Sequence, residues 1–177
     1  MIENPWWNIA ADDADLAQGE LVYRCLVPIV PNDFSASAEG GSVELEFRET
    51  DLIVVTQSCD LVAKQTKTDM VAACPFRVVD PNERWDRLEE MRKGRQEGLH
   101  LLASPSDHKD LKLALMVDFR RVFTLPIGYL VGLSHKSTPR YQLRPPYVEH
   151  FSQAFGRLFM RVALNPELDR FNKEWNR

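Results

Sequence analysis

The chain has 177 residues, 44% of them hydrophobic and 27% charged, with a formal net charge of -4. That length suits a single domain over residues 1–177 with a substantial core. The acidity argues against a surface that attracts nucleic acid everywhere, though not against a local basic face, and no apolar run approaches the ~18–20 residues of a membrane span.

The opening Met1-Ile-Glu-Asn-Pro-Trp-Trp7 lacks the basic-then-apolar pattern of a signal peptide, so the expected location is cytoplasmic. Trp6 and Trp7 either plug one end of the core or seat a partner. Gly19-Glu-Leu-Val-Tyr-Arg-Cys-Leu-Val-Pro-Ile-Val30 reads as a first strand after a glycine turn, with Pro28 placing its later half at an edge or bend. A polar loop follows. Ser42-Val-Glu-Leu-Glu-Phe47 alternates as a half-solvated antiparallel strand. Asp51-Leu-Ile-Val-Val-Thr-Gln-Ser-Cys-Asp60 is the most strand-like run, a continuous apolar stretch closed by turn formers. It is expected to be central and buried on both faces.

Met70-Val-Ala-Ala-Cys-Pro-Phe-Arg-Val-Val79 is the next strand, interrupted by Pro75. Residues 80–100 change character. Asp80 and Pro81 suit a helix start, Trp85, Leu88 and Met91 recur at helical spacing, and Gly94 or Gly98 ends the helix. It is expected as an insertion, within residues 80–110. Residues 111–118 and 120–125 read as strands, 126–133 as a turn with a short apolar segment, and 134–144 as polar and basic. Pro145 opens a helix on which Tyr147, Phe151, Ala154, Leu158 and Val162 share one face, within a C-terminal helical segment over 144–177. Five or six short antiparallel strands with an inserted and a C-terminal helix make a mainly β, α+β chain. A small antiparallel barrel fits that order.

Three residue groups carry candidate chemistry. Cys59 stands at a strand end between Ser58 and Asp60, where a hydrolase nucleophile is often placed. None of the four histidines forms a partner motif with it. The plainer reading is a buried thiol beside a turn-capping Asp. Cys25, Cys59 and Cys74 contain no CxxC pair, so no metal site is expected from them. Thr56, Ser58, Asp60 and Asp118 bring only two carboxylates, too few to argue for a cation, and no cofactor is expected. Arg120, Arg121, Lys136, Arg140 and Arg144, interleaved with Tyr129 and Tyr141, are suited to phosphate contact and base stacking, or else form a solvated rim. Trp6, Trp7, Phe171 and Trp175 put large apolar groups at both ends, suited to a protein partner, a second copy of the chain, or packing within it.

The order of parts resembles the MazF/PemK-like toxin family. Gly19-Glu-Leu-Val-Tyr23 resembles its opening strand, and Leu52-Ile-Val-Val-Thr-Gln-Ser-Cys-Asp60 its second signature. Met70-Val-Ala-Ala-Cys-Pro75 is similar to the strand that follows, and Leu115-Met-Val-Asp-Phe-Arg-Arg-Val-Phe-Thr-Leu-Pro-Ile-Gly-Tyr-Leu130 to the last strand pair. The likeness spans residues 19–133 and implies an SH3-like barrel. The family's Arg-Pro pair is replaced here by Glu49-Thr50-Asp51 with Arg48 nearby, and its Thr or Ser after the Pro-bearing strand by Phe76-Arg77. Arg48, Arg77 and Arg121 supply cations, but no base stands at the matching places. With those departures the chain is expected to be a protein-binding module without catalysis, and the resemblance implies the setting of a prokaryotic toxin-antitoxin or phage-defence system. RNA is a further partner. One alternative is a metal-independent endoribonuclease with Arg77 and Arg121 on phosphate and Thr56 or Asp60 at the 2'-hydroxyl. The other, from the residues alone, is a cysteine-dependent hydrolase using Cys59.

Overall fold

The computed structural model describes residues 4–31, 44–62, 68–106 and 113–160. The elements are β1 (Trp7–Ile9), β2 (Leu21–Ile29), β3 (Glu46–Val54), α1 (Ser58–Leu61), β4 (Met70–Val78), α2 (Trp85–Arg92), β5 (Leu99–Leu102), β6 (Leu115–Asp118), β7 (Phe123–Pro126), α3 (Ile127–Ser134), β8 (Tyr141–Leu143) and α4 (Tyr147–Phe159). The main sheet has the order β2-β3-β4-β6-β5, with β7 also paired to β4, and β1 pairs with β8 in a separate ribbon. Every strand pairing among the described residues is antiparallel. The fold is mixed α+β. No pairing among the described residues joins β2 to β5, so no closed barrel forms there.

The apolar run in and after β3 shows why the sheet is covered on both faces. Side chains alternate across a strand, yet Leu52, Ile53, Val54 and Val55 are all buried. Ile53 and Val55 enter a core with Cys74, Phe76 and Val117, closed by Trp7, Leu143 and Phe151 of α4. Leu52 and Val54 enter another with Val71 and Ala73, closed by Leu61 of α1 and Leu130 of α3. A third cluster seats Leu88 and Met91 of α2 on Leu101 and Met116. Each such side chain contributes about 1.5–3 kcal/mol by leaving water. The strand expected over 42–47 and the central run form one strand in the described residues. Its first half pairs only with β2, and pairing with β4 starts at Leu52.

Strand β4 runs unbroken through Pro75, and the reason lies in its neighbours. The Ala72 N–H and C=O both face β3, bonded to Thr56 Oγ1 and to Val55 N–H. Alternation then turns the Pro75 nitrogen to the opposite edge. On that edge Ala73 pairs with Phe123 and Phe76 with Val117. Three steps along β4 match six along its partner, so three residues are extra between β6 and β7. Proline lacks a donor and is tolerated at such an irregularity. The segment that carries the extra residues, 119–122, buries Phe119 and exposes Arg120 and Arg121.

Several expectations need correction. Trp85 is 63% exposed and does not share the buried face of Leu88 and Met91. Asp80 caps a turn, accepting the Asn82 N–H at 2.8 Å, and α2 begins only at Trp85. Residues 127–134 are a helix rather than a turn, despite Gly128 and Gly132. Cys59 lies in the single turn of α1 and not at a strand end. Helix α4 forms as expected, with Phe151 fully buried. No helix among the described residues is long and apolar enough to cross a membrane.

Candidate anion-binding groove

The second face of the sheet is roofed by α3 at one end and α2 at the other, and a groove opens between them. Thr50, Leu52 and Arg48 share one side of β3, as Ala73, Pro75 and Arg77 share one side of β4. A cleft of about 280 Å³ has Thr50, Pro75 and Met116 among its lining, with Arg77, Arg87, Arg120 and Arg121 around them. An adjoining cleft of about 530 Å³ shares Arg120 and Arg121 and adds Arg48, with Val27, Ile29, Val122 and Phe123 as apolar lining. Five arginines thus line the two clefts against one carboxylate, Asp118.

That carboxylate is already engaged. Arg120 grips Asp118 with Nε at 2.7 Å and Nη2 at 2.8 Å. These bonds hold the Asp118 carboxyl below the usual carboxylate range, against the opposing pull of partial burial. Arg87 bonds Glu83 one helical turn earlier. Arg77 donates to the Val78 carbonyl at 3.3 Å. Arg121 lies over the Phe123 ring at 5.8 Å, a cation–π contact. No carboxylate pairs with Arg48, Arg77 or Arg121 among the described residues. A guanidinium fork without an acid is equipped to take a phosphate oxygen pair.

The structure separates other residues that the sequence put together. Thr56 accepts the Ala72 N–H at 2.8 Å, five residues along β4 from Arg77 and so roughly 16 Å from it. Neither Thr56 nor Asp60 lines the arginine clefts. Arg140 is not on the basic face. It is 2% exposed, with Nε and Nη2 on the two oxygens of Glu20 at 2.9 and 3.2 Å, and Nη1 on the carbonyls of Ala11, Asp12 and Ala14. Ser134 donates to the same Glu20 carboxylate. Arg144 is half-buried just before α4 and lines neither cleft.

Of the expected partner residues, Trp7 is buried and donates its indole N–H to Ala103 at 2.8 Å. Trp6 stacks on Tyr147 at 4.0 Å. Both therefore pack within the chain. Phe171 and Trp175 lie outside the described residues. Cys59 is exposed, its thiol beside Gln57 and Asp60 with no histidine contact among the described residues. No group of three or more His, Cys, Asp or Glu among the described residues is placed to hold a metal ion.

Arg87 and Thr50 also line the cleft, and nothing local in the sequence marks them. The 3.6-residue period of α2 set Leu88 inward, and Arg87 is its neighbour on the flank. Where that flank points depends on the sheet the helix packs against. No protein-family model matches the chain, and no curated protein matches it.

Proposed function

We propose that the chain is a binding protein whose arginine groove takes the phosphate backbone of single-stranded RNA without cleaving it. The carrying observation is five arginines lining two joined clefts, three of them, Arg48, Arg77 and Arg121, without a carboxylate partner among the described residues, on a chain of net charge -4. A local excess of that kind attracts a polyanion that the rest of the surface repels. Two adjoining clefts sharing Arg120 and Arg121 follow a linear ligand better than a compact one. Phe123, beneath Arg121, adds an aromatic surface at the groove for a base. The MazF/PemK-like motifs favour RNA among polyanions. The bend in pairing along β4, from β7 to β6, supports an open relative of the SH3-like barrel that those motifs imply. The setting in a prokaryotic toxin-antitoxin or defence module rests on the motifs alone.

The ribonuclease alternative keeps Arg77 and Arg121 on the phosphate but lacks a base beside them, which supports binding over cleavage. The test is fluorescence anisotropy of a labelled single-stranded RNA, in EDTA, with polyglutamate as a second polyanion. RNA is expected to bind and the Arg77→Ala/Arg121→Ala double variant to bind at least tenfold more weakly, each charged contact being worth about 1.5–3 kcal/mol. Undiminished binding by the variant overturns the reading, as does tighter binding of polyglutamate. RNA shortened in the same samples turns the assignment to the nuclease.

A further inference from the structure

A second cavity, on the other side of α2, carries chemistry that the arginine groove does not use. It measures about 330 Å³ and lies between the end of α2, β5 and α4. A recess of about 90 Å³ adjoins it and shares Gly94, His100, Ala154 and Arg157. Together they reach the lower end of the size range of small-ligand sites.

The mouth is cationic, with Arg92, Lys93 and Arg157 on its lining. Arg92 and Lys93 share one carboxylate, Glu89, at 2.7 and 3.3 Å. The recess adds Glu97, which is itself engaged in an interaction. Arg157 has no acidic partner among the described residues. The surplus of one or two positive charges suits one anionic group and falls short of a polymer backbone. The interior is partly apolar, with Met91, Leu101, Trp6 and Tyr147.

Two polar groups on the lining have no hydrogen-bond partner among the described residues. His100 stacks on Phe119 at 5.5 Å and meets Phe151 edge-on at 6.1 Å. Its ring nitrogens have no hydrogen-bond partner among the described residues, while the ring lines both cavity and recess. Burial, aided by His150, lowers its imidazole to about 4, so it is neutral at pH 7. A neutral imidazole offers one donor and one acceptor. The Gln96 amide oxygen, in the recess lining, is buried and unsatisfied among the described residues. A buried acceptor without a donor costs about 1–3 kcal/mol, which a ligand bearing an N–H or O–H relieves.

We infer that this cavity binds a small organic anion, a flat ring carrying a single phosphate or carboxylate. The anionic group sits at Arg157 and the ring enters beside His100. The test follows the His100 and His150 ring signals by NMR at pH 7 against adenosine 5'-monophosphate, 4-aminobenzoate, adenosine and inorganic phosphate. The monophosphate or 4-aminobenzoate is expected to give a saturable shift below about 1 mM, and which of the two binds tells phosphate from carboxylate. Adenosine and phosphate alone are expected to be at least tenfold weaker. Arg157→Ala, an exposed change, is expected to weaken binding tenfold or more with the melting midpoint unchanged. Four results overturn the inference: no saturable shift from either ring anion up to about 10 mM, equal affinity for phosphate alone, undiminished affinity in Arg157→Ala, or loss of binding in Arg77→Ala/Arg121→Ala.

Discussion

Arg140 and Glu20 meet as a two-pronged ion pair whose side chains are 1% and 0% exposed. The pair ties β8, through its preceding residue, to the start of β2, and three backbone carbonyls of the N-terminal segment complete the guanidinium. Removing one partner strands a charge in the interior, which costs about 3–5 kcal/mol. Arg140→Ala is therefore expected to lose that much in urea denaturation. Arg140→Met/Glu20→Leu, which buries no orphan charge, is expected to lose clearly less. Equal losses would mean that the carbonyl contacts, and not the pair, hold the segment.

Salt dependence counts the arginines that touch phosphate. Each neutralised phosphate on a single strand contributes about -0.7 to the slope of log K against log salt. Arg48→Ala, Arg77→Ala and Arg121→Ala are each expected to flatten the RNA-binding slope by about 0.7. Lys136→Ala, exposed but outside both clefts, is expected to leave it unchanged. Equal flattening by all four variants would point to a diffuse field in place of a groove.

His100 ties stability to pH with a definite sign. Its folded value, about 4, lies below the ordinary 6.5 because burial, and then His150, disfavour the charged ring. The unfolded chain therefore binds a proton first. The contribution is complete above pH 6.5 and is lost as pH falls toward 4, at most roughly 3 kcal/mol for one group. His100→Phe keeps a flat ring against Phe119 and removes the titration. Denaturant midpoints measured from pH 7 to 4 are expected to fall less steeply in that variant. An unchanged slope would assign the acid sensitivity to other groups.

The thiols separate chiefly by burial. Cys25 and Cys74 are pushed up to about 12 by burial, with Asp51 and Asp118 adding to it, whereas Cys59 is exposed. Alkylation at pH 7.5 is expected to modify one thiol per native chain and three after unfolding. Rapid labelling of Cys59 then reflects access and is no argument for a nucleophile. A catalytic role requires Cys59 to outpace a free small-molecule thiol, and the absence of a histidine contact among the described residues leads us to expect that it does not.

What could be read from the sequence was local. The run Leu52-Ile-Val-Val55 signals a strand buried on both faces because it lacks alternation, and α4 shows a wide apolar stripe. The ribonuclease alternative puts Arg77 and Arg121 on phosphate, and both line one cleft, but what they bind there is a matter for the RNA test. What could not be read was long-range. Arg140 looks like any basic-loop residue until Glu20, 120 positions earlier, is known to face it. Strands β1 and β8 have three residues each, too few for any period to show. Pro75 reads as an interruption, and only the register jump opposite it shows why the strand continues. Gly128 and Gly132 lower the helix propensity of α3, which packing against the second core outweighs.

Gly98 connects this backbone to the groove. Its φ is +73°, in the left-handed region, and a Cβ there would collide with Arg120 Cγ. Its carbonyl also accepts the Phe119 N–H at 2.8 Å, holding the start of the extra segment. Gly98→Ala therefore meets two penalties, a left-handed alanine at about 1–2 kcal/mol and a displaced Arg120 side chain. The side chain is the softer of the two, so Arg120 moves and its grip on Asp118 breaks. Asp118 is then expected to titrate higher, back toward the ordinary carboxylate range, since Arg120 is the main cause of its lowering. Carboxyl carbon shifts across a pH series measure that directly. A lowered melting midpoint with Asp118 unmoved would mean that the backbone yields in place of the arginine, and the groove would then be expected to keep its RNA affinity.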